Sequence, residues 1–130
     1  MRFQARLHAA FLQRRRINPG YSLRAFARAL RIDHATLSQI LRGRRRVTAR
    51  TIRACGLALG LTPREIRDCC HVEHEAAIVL ATTHPHFRPD SRWLAVTLNI
   101  PLDDVNIALQ ALLQQRRLSM KTRNSWQVDK

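Results

Sequence analysis

Between Ser22 and Arg46 the chain reads SLRAFARALRIDHATLSQILRGRRR, and no other stretch narrows its folding as much. Leu23, Phe26, Ala27 and Leu30 recur at helical spacing, and Leu37, Ile40 and Leu41 resume the pattern after a short gap. Ser22 stands where an N-cap belongs for the first helix, and Asp33 where one belongs for the second. The second helix stops at Gly43. Two amphipathic helices joined by so short a turn can bury their apolar stripes together only by crossing steeply. Small Ala27 falls where the two backbones come closest. Such a pair is a helix-turn-helix, and its second helix is suited to a DNA major groove.

Charge narrows the partner. Residues 1–64 hold 15 Arg and one acid, Asp33, whereas residues 65–130 hold 8 Lys or Arg against 8 acids. The whole formal charge of +14 therefore sits on the half that carries the helix pair. An unbalanced basic surface repels itself, so a polyanion is the expected partner, and with this motif that means double-stranded DNA. Of 23 basic residues 21 are Arg, which suits bidentate phosphate and guanine contacts. Codon bias in a GC-rich genome would explain Arg over Lys, but not the asymmetry between halves.

The remaining bulk properties set outer bounds. A chain of 130 residues allows one domain or two small ones, and 45% hydrophobic content supplies helical cores. No apolar run approaches a membrane span. The start, MRFQARLHAAFLQRRR, is basic and amphipathic without a continuous apolar region, so no signal peptide is expected. Three cysteines, two of them adjacent, make a poor disulfide framework, and a reducing cytoplasm, on the nucleoid, is the expected location.

Taken in order, residues 3–16 are expected to form a first helix, with Phe3, Leu7, Ala10 and Phe11 inward and Arg14, Arg15 and Arg16 at its end. Basic residues there also suit the helix dipole. Asn18-Pro19-Gly20 breaks it. After the central pair, Thr48 caps a helix expected from about Ala49 to Leu59, ending at Gly60. Thr62-Pro63-Arg64-Glu65 is a capping box with Pro at the first helical position, and it opens a fifth helix reaching at least Val72.

This first region, roughly residues 3–74, resembles the phage-repressor type of helix-turn-helix domain. The resemblance rests on Ala27, on Leu30 and Ile32 around the turn, and on Leu37 and Ile40. It extends to Gly43-Arg44-Arg45-Arg46-Val47, Thr48-Ala49-Arg50-Thr51-Ile52 and Leu57-Ala58-Leu59-Gly60-Leu61-Thr62-Pro63. One position departs, since Arg31 occupies a turn site that is usually Gly; a positive φ there would cost about 1 kcal/mol. The outer face of the second helix presents His34, Ala35, Thr36, Ser38, Gln39 and Arg42. The resemblance implies base-reading positions at His34, Ala35 and Gln39, with Thr36 and Ser38 beside them. Gln39 suits adenine through N6 and N7, His34 suits guanine, and Ala35 suits a thymine methyl. Arg42, Arg44, Arg45 and Arg46 are expected to contact phosphate, with Arg16, Ser22 and Arg24 gripping the other side. The bland alternative is an ordinary solvated helix face.

A second unit is expected over residues 75–130, beside a helix-turn-helix unit over 1–74. HEAAIVLATT, from His74, reads as a helix, and His84 to Pro89 as a loop. Asp90 caps a helix with Trp93, Leu94 and Leu98 inward, Asn99-Ile100-Pro101 turns, and a long helix follows from Leu102. Leu118-Ser119-Met120 and Trp126-Gln127-Val128 alternate about a polar turn, Lys121–Ser125, which signals a hairpin. The expected fold is thus mainly all-α: a five-helix repressor-like domain, then a small winged-helix-like domain ending in a β-hairpin. The order resembles a family of bacterial regulators in which a phage-repressor-type helix-turn-helix precedes a winged-helix-like domain. Phe87-Arg88-Pro89-Asp90, Trp93-Leu94-Ala95 and Ala111-Leu112-Leu113 carry that second match.

Asp103 and Asp104 open the second unit's long helix and would face phosphate, so this unit is not expected to read DNA, despite Lys121 and Arg123 in the wing. Dimerisation or binding of a protein partner is expected instead. Cys69, Cys70, His71, His74, His84 and His86 make the one ligand-like cluster, but their spacing matches no standard zinc pattern, so no metal or cofactor is expected. No paired carboxylates, nucleophile elbow or phosphate-binding Gly loop points to an enzyme. The expectation is a homodimeric, sequence-specific transcriptional regulator. An antitoxin with a toxin-clamping C-terminal half, a nucleoid packaging protein and a protein-interaction adaptor are the alternatives.

Overall fold

The computed structural model describes residues 2–122 and 125–128. Among them are seven helices and one two-stranded hairpin, the mainly helical fold expected. The chain divides into two compact units, residues 1–73 and 74–130. No helix among the described residues is long and apolar enough to cross a membrane.

In the first unit, α1 (Phe3–Ile17), α2 (Leu23–Leu30), α3 (His34–Leu41), α4 (Ala49–Gly56) and the first part of α5 (Pro63–Ala81) enclose one core. Its centre is Phe3, Leu7, Phe26, Leu30, Leu37 and Ile52, all fully buried. Phe26 alone removes enough apolar surface from water for about 2–3 kcal/mol. Phe11 stacks on it with ring centroids 5.4 Å apart. The expected caps form. Ser22, Asp33 and Thr48 each accept a hydrogen bond from the backbone N–H three residues on. Thr62 and Glu65 close the capping box reciprocally, each at 3.1 Å. Hydrogen bonding from the Thr62 backbone N–H, with its hydroxyl beside, holds the Glu65 carboxyl below its usual range, and Arg6 adds to the effect. Arg2, the residue before α1, clasps buried Glu73 of α5 with two hydrogen bonds, the shorter 2.7 Å.

Two boundaries differ from expectation. α4 ends at Gly56 rather than Leu59. Gly60 takes φ +81°, and the N–H of Leu61 returns to the Gly56 carbonyl at 3.0 Å, a closure that draws Leu57–Leu59 into a turn. A Cβ on Gly56 would come within 2.7 Å of Ile66 Cγ1, so α4 approaches α5 closely only because that position is Gly. The second difference is α5. The stretch from His74 is not a new helix but the continuation of α5 to Ala81, so the division between units falls inside a helix.

The second unit holds the end of α5, α6 (Ser91–Leu98), α7 (Leu102–Gln114), β1 (Leu118–Thr122) and β2 (Ser125–Val128). Leu94, Val105, Leu112 and Ile78 are its buried centre, with Phe87, Trp93 and Trp126 packed against it. Asp90 caps α6 at the Arg92 N–H. The strands pair antiparallel, Leu118 opposite Val128 and Met120 opposite Trp126, with a register shift beyond Met120. Of the expected turn Lys121–Ser125, both ends belong to the strands, while residues 123 and 124 lie outside the described residues. So do Arg123, one of the two wing cations, and the side chain of the other, Lys121.

The two units share a local design. α2 and α6 are both eight residues long and end in a left-handed residue, Arg31 (φ 59°) and Asn99 (φ 54°). An isoleucine and one further residue follow in each, and the next helix then begins, α3 or α7.

Candidate nucleic-acid interface

α3 is fixed on its inner side by Leu37 and Ile40, both essentially without solvent exposure. With those two inward, the helical step turns Ala35, Gln39 and Arg42 outward. Ala35, Gln39 and Arg42 are exposed, and His34, Thr36 and Ser38 are half-buried beside them. The turn that aims this face closes on Arg31. Its N–H donates to the Arg28 carbonyl at 3.2 Å, and the Ile32 N–H donates to the Ala27 carbonyl at 3.1 Å. The Ile32 bond requires the left-handed backbone at Arg31, which costs a Cβ-bearing residue roughly 1–2 kcal/mol.

At the other end of α3, Arg42 is the C-cap and Gly43 takes φ +72°. The Arg44 N–H then reaches back to the Gln39 carbonyl at 2.9 Å. This closure sends the arginine arm onward from the end of the helix, with Arg44, Arg45 and Arg46 all exposed. Arg45 Nη1 lies 3.5 Å from Thr36 Oγ1, so the arm bends toward the first turn of the outer face. Arg16, Ser22 and Arg24 are exposed on α1 and at the start of α2. The Ser22 hydroxyl accepts from the Ala25 N–H and keeps its own hydrogen for donation. The neighbours of Arg16 are spent differently. Arg14 lies 5.1 Å over the Phe26 ring and donates to the Tyr21 hydroxyl, and Arg15 lies 5.6 Å over Phe11.

One residue of the site escapes sequence reasoning. Gln4 Nε2 donates to the Ile40 carbonyl at 3.0 Å and the Leu41 carbonyl at 3.3 Å, capping the C-terminal end of α3 from α1. The last carbonyls of a helix have no partner inside it, and here the Ile40 carbonyl also accepts from the Gly43 N–H at 3.0 Å, so Gln4 adds a second donor there and reaches the Leu41 carbonyl as well. Nothing in the local sequence marks Gln4, because the bond joins positions 36 residues apart.

The cysteine and histidine cluster is not assembled. Cys69 and Cys70 are buried in the first unit, whereas His84 and His86 are exposed in the second, where the His86 N–H donates to His84 Nδ1. No group of three or more His, Cys, Asp or Glu among the described residues is placed to hold a metal ion. The third cysteine, Cys55, is fully buried, and burial pushes its thiol up to about 11, opposite to the direction a reactive thiolate needs.

Two short helices about a left-handed turn, an exposed face on the second and an arginine arm behind it define the helix-turn-helix class, a fold of DNA-binding regulators. Residues 9–68 match a family described as a helix-turn-helix domain. No curated protein and no solved structure matches the chain. The matched stretch takes in α2, α3 and α4 and leaves out Gln4 and the second unit.

Proposed function

We propose that the protein is a sequence-specific transcriptional regulator of the phage-repressor type, reading the major groove with α3. In this reading Gln39, Ala35 and His34 meet base edges, with Thr36 and Ser38 beside them. Arg42, Arg44, Arg45 and Arg46 grip phosphate on one side, and Arg16, Ser22 and Arg24 on the other. The observation that carries the reading is the exposed Ala35-Gln39-Arg42 face, continuous in sequence with three exposed arginines. One such element reads only a few base pairs, so two copies bind an inverted repeat with half-sites about one helical turn apart. The second unit is winged-helix-like and joins the copies. Its near balance of charge, 7 Lys or Arg against 5 acids over residues 74–130, and the acids opening α7 support that division of labour.

Selection of bound duplexes from random DNA tests it. An enriched inverted repeat is the expected result, with affinity falling steeply with salt, by about 0.9 in log–log slope for each phosphate neutralised. No enrichment, with equal affinity for all duplexes, would mean a packaging protein instead. Binding indifferent to salt would contradict the electrostatic grip altogether.

A further inference from the structure

The matched turns of the two units allow their outer helix faces to be compared residue by residue. Counting from the left-handed residue, Ala35, Gln39 and Arg42 of α3 correspond to Asp103, Ile107 and Gln110 of α7. The face that is polar and basic in the first unit is acidic, then apolar and amidic in the second. Of ten large hydrophobics exposed among the described residues, six lie in the second unit, Ile107 at 49% and Leu113 at 37% among them. Asn106, Ile107, Gln110, Ala111 and Gln114 line one shallow groove of about 410 Å³ along α7.

The distribution of charge along this helix is what identifies its occupant. Asp103 and Asp104 stand in the first turn of α7, and exposed Arg116 and Arg117 stand just past its end. Residues 105–115 between them carry no charge. The midpoint of the two charged pairs is Gln110. A second α7 laid antiparallel about a two-fold axis at Gln110 therefore sets each acidic end against the other copy's basic end. Asp103, Ile107, Gln110 and Gln114 follow one another at spacings of four, three and four, the stripe along which two helices pack. On the axis, Gln110 meets its own copy, and an amide both donates and accepts. A parallel arrangement would place like charges together. A surface that matches itself under a two-fold rotation is what an isologous dimer contact requires.

We infer that the outer face of α7 is a homodimer interface, in which α7 pairs antiparallel with α7 of a second copy about Gln110. The inference rests on the two-copy reading above and locates its contact surface. Sedimentation equilibrium without DNA tests it on the full chain, using Asp103→Arg, Arg117→Asp and the two combined. The expected results are a dimer for the unaltered chain, about tenfold or greater weakening for each single change, and recovery in the double exchange. Gln110→Cys should give an intermolecular disulfide under oxidised glutathione, since the axis brings the two thiols together while the native cysteines are buried. Helical circular dichroism, with unchanged binding to a single half-site, shows that each variant is folded and still reads DNA. A dimer indifferent to all three charge changes, or without the Gln110→Cys crosslink, overturns the α7 interface and leaves the two-copy reading standing. A chain that stays monomeric even on an inverted repeat overturns both.

Discussion

Arg31 holds the central turn at φ 59° against the preference of its own side chain. Its guanidinium is exposed, so what the position needs is only a backbone without Cβ conflict. Arg31→Gly should relieve the strain, partly offset by the greater freedom of Gly in the unfolded chain, for a net gain of about 1 kcal/mol. For a unit of this size that appears as a melting temperature several degrees higher. A lower melting temperature would mean that the Arg side chain stabilises the turn by more than the strain. Asn99, at the equivalent place in the second unit, is a residue that tolerates the left-handed region, so the strain there is smaller. Gly56 makes the converse point. It is helical with ordinary φ, and its role is the space a Cβ would take from Ile66. Arg31 was legible from sequence, because a turn shape is local and its site is usually Gly. Gly56 was not, because the residue it must accommodate belongs to another helix.

At the level of elements, what was legible follows the range of the interaction that decides it. Caps depend on a side chain and a backbone N–H two or three residues away, and Ser22, Asp33, Thr48, Thr62 with Glu65, and Asp90 all stand where local chemistry puts them. The end of α4 depends on a carbonyl at Gly56 being claimed by Leu61, and the apolar run Leu57-Ala58-Leu59 hides that in sequence. α5 runs on past Val72 because nothing in CCHVEHEAAIVLA breaks a helix, and a change of unit need not coincide with a change of element. The longest-range case is Gln4. Because it caps α3 from α1, Gln4→Ala should loosen the last turn of α3 at a cost of about 1 kcal/mol. Gln4→Glu should cost more, since a carboxylate then faces carbonyl oxygens at the negative end of a helix. In thermal melts and in DNA titrations, selected-site binding should fall further than random-site binding for both variants. Equal losses on every sequence would make Gln4 a stabilising residue with no part in aiming α3.

Across the whole molecule, charge and apolar exposure are divided between the units rather than mixed. Residues 1–64 carry the entire excess of positive charge, and the second unit carries most of the exposed large hydrophobics among the described residues. The charge division was legible by counting. The apolar face of α7 was not, because which side of a helix stays uncovered depends on where the core closes, here on Val105, Ala108, Leu109 and Leu112. In the proposed reading a second division, within the first unit, separates the outer face of α3 as the part that discriminates between sequences from the arginine arm as the part that binds them all. Affinities of Gln39→Ala and Arg45→Ala for a selected site and for random DNA, across a salt series, measure that division directly. Gln39→Ala should lose about 1–3 kcal/mol on the selected site and almost nothing on random DNA. Arg45→Ala should weaken both by similar factors and flatten the salt slope by about one ion. Asp104→Ala, in the second unit, should leave binding to random DNA and to a single half-site unchanged, because in this reading that unit does not face phosphate. If Gln39→Ala and Arg45→Ala show the same profile on both kinds of DNA, or if neither has an effect, then α3 is not the reader of sequence.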